Sequence, residues 1–244
     1  MNAPVPPARR SRPTRSDRLD PVISQRVIPQ LVIFDCDGVL VDSEHLASTV
    51  HARMLASAGI TTSAEEISRR FTGSTERAMY AVLEQELGRP LPAGHAELTS
   101  AEMRAAFERE LAPIRGVAAA LARLALPKCV ASNSGLQTLR LGLTVTGLLA
   151  HFAPNVFSAQ MVARGKPAPD LFLYAAERMG VAPAHCLVIE DSVHGVNAAC
   201  AAGMRVLGFC GGTHCAPGHD AVLTAAGADA TFADMAELPE LATA

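Results

Sequence analysis

Asp35 and Asp37 stand two positions apart in FDCDGVLVDSE (34–44), with Cys36 between them. Residues i and i+2 of an extended segment point the same way, so both carboxylates can face one pocket. Two anions held that close need a cation or a shared proton. The tripeptide is open to four readings: a catalytic carboxylate pair, a metal site, a reactive thiol or a polar strand end. Three other polar clusters follow: Ser132-Asn133-Ser134, Lys166 in GKPAPD, and Glu190-Asp191-Ser192. Any one of them is explained as a helix cap or turn. Together they assemble a carboxylate nucleophile, further hard oxygen ligands, a hydroxyl donor and a point positive charge. Oxygen ligands with few histidines suit Mg²⁺, which binds through one or two carboxylates plus substrate phosphate oxygens. That set fits phosphoryl transfer, which depends on positioning and charge neutralisation.

The elements that must hold these residues are legible as alternating apolar runs and helices. LVIFDC (31–36) is a continuous apolar run, as a buried parallel strand requires. KCVAS (128–132), NVFSA (155–159), CLVIED (186–191) and RVLGFC (205–210) are further strand candidates. GVAAALARL, LQTLRLGL, PDLFLYAAERMG and VHGVNAACAAG supply the helices between them. This alternation predicts an α/β fold with a doubly wound parallel sheet. Ligands of such sheets bind beyond the carboxyl ends of the strands, where the polar clusters collect. Between the first two strands, residues 44–112 read as helical throughout, broken at Gly59, Gly73 and Gly88-Arg89-Pro90. The expected organisation is a core of residues 29–43 and 113–244 with a helical lobe, 44–112, inserted after the first strand.

Residues 1–28 hold six arginines and little apolar periodicity, and read as a disordered tail. The 244-residue chain is 49% hydrophobic with a formal net charge of -3, so no strong field favours nucleic acid or an anionic membrane. No apolar run has the length of a membrane span. The six cysteines, scattered through apolar stretches, read as reduced and point to a cytoplasmic location; a monomer is expected. Only two lysines, Lys128 and Lys166, stand among 19 arginines, which draws notice to Lys166.

FDCDGVLVDSE, VASNSG, GKPAPD and VIEDSVHGV, in that order, resemble the four motifs of the haloacid dehalogenase superfamily, over roughly residues 30–235. The inserted helices resemble the α-helical cap of its β-phosphoglucomutase-like subgroup. The resemblance implies an aspartyl-phosphate formed on Asp35, with Asp37 as general acid and then base. Ser132 and Asn133 would bind the phosphoryl group, and Lys166 would stabilise Asp35 and the transferring group. Asp35, Asp191 and the backbone carbonyl of Asp37 would hold Mg²⁺, with Glu190 a direct or water-mediated partner. Asp37 argues against dehalogenation, which needs no proton donor. The absence of lysine from 44–112 closes the Schiff-base route of phosphonatases.

A sugar-phosphate mutase is the rival within the superfamily. Ala47, Glu76 and Gly135 occupy the positions where such mutases carry a histidine, an arginine and a lysine. Those departures favour water as acceptor and hence a phosphatase acting on a sugar phosphate or sugar-acid phosphate. The rival of another class is a non-catalytic binding protein, against which every catalytic position is filled. For substrate selection the candidates are Arg69, Arg70 and Gly73, an arginine pairing with a sugar-acid carboxylate; both arginines also read as solvated helix-end charges. Cys210-Gly-Gly-Thr-His214-Cys215 hints at a soft-metal site but lacks a third and fourth ligand, so it reads as a strand-end loop.

Overall fold

The computed structural model describes Met1 and residues 28–243; residues 2–27, on which the expected tail falls, lie outside the described residues. The five apolar runs become β1 (Leu31–Phe34), β2 (Lys128–Ser132), β3 (Val156–Ser158), β4 (Cys186–Glu190) and β5 (Arg205–Phe209). A further strand, β6 (Ala230–Phe232), arises where no strand was expected, because ATF is short and only its phenylalanine is buried. The six strands pair in parallel throughout, in the order β3-β2-β1-β4-β5-β6.

The central strand β1 is buried on both faces, and its alternation sorts the core into two layers. Val32, Phe34 and Cys36 face one side, Leu31 and Ile33 the other. Between β1 and β2 the chain forms α1 (Glu44–Ser57), α2 (Ala64–Phe71), α3 (Glu76–Leu87) and α4 (His95–Glu110). The first sheet face is covered by α5 (Val117–Arg123) and α6 (Leu136–Val145) through Val117, Leu121, Leu139 and Leu143. The second is covered by α7 (Asp170–Met179), α8 (Val193–Ala201) and α9 (His219–Ala226) through Phe172, Val196 and Leu223. A last short helix, α10 (Leu238–Leu241), closes the first face with Leu238. Cys36 is 1% exposed within the first layer, and burial and the flanking aspartates push its thiol well up. That excludes the reactive-thiol reading of the tripeptide.

The inserted helices carry small cores of their own, Val50, Met103 and Phe107 in one and Leu55, Ile67, Met79 and Leu83 in the other. Ser63 and Thr75 start α2 and α3 by accepting from the Glu66 and Ala78 amides, each at 3.1 Å. The two strands of chain entering and leaving the insertion are tied together. Asp42 N donates to Ala112 O at 3.0 Å and Ile114 N to Leu40 O at 2.9 Å. The insertion therefore starts and returns beside the carboxyl end of β1.

Candidate active site

The chain winds from β1 outward to β2 and β3, then crosses back to place β4 on the other side of β1. The crevice at that reversal is where an open sheet offers a ligand site. Asp35 follows β1 and its amide donates to Ile189 O at 2.9 Å, which sets it beside Glu190 at the end of β4. Asp35, Asp37, Ser132, Asn133, Lys166, Glu190 and Asp191 all line one cavity of about 1110 Å³ between the sheet edge and the inserted helices.

Lys166 Nζ donates to Asp35 Oδ1 at 2.6 Å and to Glu190 Oε1 at 2.5 Å, and lies 4.7 Å from the centre of the Phe172 ring. Its two buried anionic partners hold it well above the ordinary lysine range despite burial. Glu190 Oε2 accepts from the Asp191 and Ser192 amides and from Ser192 Oγ, at 3.1, 3.2 and 3.0 Å. A Cβ on Gly195 would come within 1.8 Å of the Glu190 carboxyl carbon, so only glycine leaves room for that carboxylate. Asp37 is held by hydroxyls: Ser43 Oγ donates to Oδ1 at 2.7 Å, and Ser132 and Ser134 Oγ to Oδ2 at 3.2 and 2.6 Å. Asn133 bridges two loops. Its Nδ2 donates to Gly73 O and Lys166 O at 2.8 and 3.0 Å, and its Oδ1 accepts from Lys166 N at 2.9 Å.

Carboxylate oxygens of Asp35, Glu190 and Asp191 lie within 4.8 Å of one another. Asp191 Oδ2 is buried and faces His214 Nε2 at 2.8 Å. Burial, together with the neighbouring carboxylates, pushes Asp35 and Asp191 well above the usual carboxylate range, only partly offset by Lys166. A buried cluster of mutually repelling carboxylates is the environment a hard divalent cation relieves, so these residues fit Mg²⁺. Glu190 already has both oxygens engaged by protein donors, which distinguishes it from Asp191.

The geometry corrects the substrate-binding expectation for two arginines. Ile67 and Phe71 turn one face of α2 to the cavity. Arg69, two residues on from Ile67, points away and is exposed. Arg70 is spent on Glu86 at 2.5 Å and Glu66 at 3.5 Å, with its guanidinium 4.7 Å from the centre of the Phe71 ring. Neither lines the cavity, whereas Gly73 does, and so does Arg77 in the first turn of α3. Sequence reading missed Arg77, Ser43, Ser134, Glu44 and His214. The phase of Ile67 and Phe71 was a readable signal against the arginine pair. His214 had none, since a loop after β5 brings its Nε2 to 2.8 Å from Asp191 Oδ2. Glu44 lines the cavity near Asp37 and Asp191, and burial followed by those anions pushes its carboxyl up to about 8.

Residues 29–203 match the haloacid dehalogenase-like hydrolases. The chain belongs to that family. It is 34% identical to the 6-phosphogluconate phosphatase of Escherichia coli K12 over 213 residues, 87% of this chain and 94% of that one. A conserved haloacid dehalogenase-like protein of unknown function from Agrobacterium tumefaciens superposes with a TM-score of 0.75 at 44% identity, covering 87% of this chain and 97% of that one. A family hydrolase from Deinococcus radiodurans, solved with bound phosphate and sodium, does so with a TM-score of 0.67 at 34% identity, covering 87% and 94%. The enzyme is a phosphoric monoester hydrolase, and the cavity above is its candidate active site.

Proposed function

We propose that the enzyme hydrolyses a sugar-phosphate or sugar-acid phosphate through a phosphorylated Asp35, in a Mg²⁺-dependent reaction. The observation that carries this reading is the convergence of Asp35, Asp37 and Lys166 on one cavity. Asp35 Oδ2 attacks phosphorus while Lys166 holds Oδ1, and the bond from phosphorus to the substrate oxygen breaks. Asp37 protonates the departing alcohol. The same carboxylate then takes a proton from water, which attacks phosphorus and returns Asp35 as a carboxylate with release of phosphate. The three hydroxyls around Asp37 hold it toward the cavity for both transfers. Ser132 and the Asn133 loop cradle the phosphoryl oxygens. Asp35 and Asp191, with the Asp37 carbonyl, would hold Mg²⁺, which supplies charge neutralisation for the transferring group. Glu190 acts as the clamp on Lys166 rather than as a direct ligand.

Residues 44–112 act as a cap that closes the site over the leaving group. Arg77 is the candidate partner for a sugar-acid carboxylate; among the described residues no ion pair engages it. Support for hydrolysis over mutase chemistry comes from Ala47, Glu76 and Gly135, all of which line the cavity without offering a cation to a second phosphate. The phosphate relative's substrate and the phosphate bound in the Deinococcus hydrolase are consistent with this assignment. Phosphate release from an aryl phosphate and from 6-phosphogluconate, with and without Mg²⁺, tests it. Asp35→Asn is expected to lower kcat by about 10³-fold or more; full activity in that variant rules out the covalent route.

A further inference from the structure

The loop between β5 and α9 carries metal-ligating side chains that the reaction does not use. His214, Cys215 and His219 each offer a ligand atom, and these lie within 4.8 Å of one another. His219, at the first position of α9, is the third ligand that the Cys210–Cys215 stretch lacked by itself. Its Nε2 is 2.6 Å from Asp191 O. His214 Nε2 and Cys215 Sγ are 3.4 Å apart. Tetrahedral coordination, with bonds of about 2.0 Å to nitrogen and about 2.3 Å to sulfur, sets two such atoms roughly 3.5 Å apart. One edge of a tetrahedral site is therefore already in place.

The surroundings fix the His214 ring in place. The His214 side chain is 5% exposed, and its Nε2 is the nitrogen turned toward Cys215 and Asp191. Asp191 Oδ2 is 2.8 Å from His214 Nε2. The imidazole is locked in a glycine-lined slot: a Cβ on Gly38 or Gly212 would reach within 2.7 or 2.6 Å of its Cε1. Two imidazoles and a thiol make a ligand set that prefers Zn²⁺ over Mg²⁺, since Mg²⁺ selects oxygen.

We propose that His214, Cys215 and His219 form a second metal site for a thiophilic divalent cation of the Zn²⁺ class. Asp191 Oδ2 completes the four-coordinate set, and the bound ion inhibits by withdrawing Asp191 from Mg²⁺. The inhibition rests on the phosphatase reading; the binding does not.

Titration of the metal-free enzyme with Co²⁺, a spectroscopic stand-in for Zn²⁺, tests the binding. One equivalent is expected to give a thiolate-to-metal charge-transfer absorption that persists in excess Mg²⁺. The band disappears in Cys215→Ser and needs about tenfold more Co²⁺ in His219→Gln. A wild-type enzyme without the band, or a Cys215→Ser enzyme with it, overturns the site. Should Cys215→Ser fail to fold by circular dichroism, the shift in His219→Gln decides the same question. In the second arm, turnover with and without equimolar Zn²⁺ at fixed Mg²⁺ is compared within each variant. The ratio is expected to fall about tenfold for wild type and to stay near one for Cys215→Ser. Equal inhibition of both overturns the regulatory half. An enzyme with no turnover leaves the absorption result standing, so failure of the phosphatase reading is told apart from failure of the site.

Discussion

Lys166 sits between Asp35 and Glu190 with its side chain 2% exposed, and the two carboxylates make its charge tolerable there. Removing it leaves two buried anions facing each other. Lys166→Met is expected to lower kcat by about 10²–10³-fold and stability by roughly 3–5 kcal/mol, read by steady-state kinetics and urea unfolding. Loss of activity with unchanged stability would contradict the clamp role of Glu190. The cavity wall calls for a second test. Arg77→Ala is expected to raise KM for a sugar-acid phosphate by about tenfold with kcat little changed, whereas Arg69→Ala leaves KM within about twofold. The same two arginines show what was legible at this scale. The acidic and basic residues at strand ends announce themselves as a set, because four polar clusters at one edge of one sheet exceed what caps and turns alone require. Which face of α2 an arginine occupies depends instead on the phase set by Ile67 and Phe71, four residues apart on the apolar side of the helix. His214 reaches Asp191 only through the return of a loop 23 residues further along the chain, as the numbering shows. Local pattern carries no trace of such an approach.

The elements matter through the loops at their ends. Gly73, at φ 78°, closes the turn between α2 and α3 and presents its carbonyl to Asn133. An added Cβ would stand 2.8 Å from Ser192 Cβ and Oγ. Gly73→Ala thus strains the turn and pushes the inserted helices off the Ser192 loop. The expected outcome is a roughly tenfold fall in kcat/KM with a loss of about 1 kcal/mol in stability, measured on the same preparation. An unchanged kcat/KM would show that this contact does not position substrate. The strands of the core were legible because each is a continuous apolar run buried on both faces. β6 and the helices α9 and α10 were not. They are short, edge-placed and half exposed, and they depend on neighbours that pattern alone does not reveal.

For the molecule as a whole, the parallel strand order concentrates carboxylates at the β1–β4 reversal, although the formal net charge is only -3. Alternation of strands and helices predicts the doubly wound class, but not that the chain reverses between β1 and β4; that choice is made by packing of both faces. The concentration has a cost visible in pH dependence. Glu44 belongs to the helical insertion and stands half-buried near Asp191 and Asp37 of the sheet edge. Its folded carboxyl is pushed from 4.5 up to about 8. A raised carboxyl means that the folded protein holds a proton the unfolded chain releases. Its stabilising effect is complete below the unfolded value and is lost as pH rises through the window from 4.5 to about 8. Glu44→Gln keeps the shape and removes the titration. Urea unfolding of the metal-free enzyme across that window should show wild type losing stability relative to Glu44→Gln, at up to about 1.4 kcal/mol per pH unit. Parallel curves for the two proteins would mean that Glu44 is ionised in the fold, and that the insertion meets the sheet edge less closely than these contacts require.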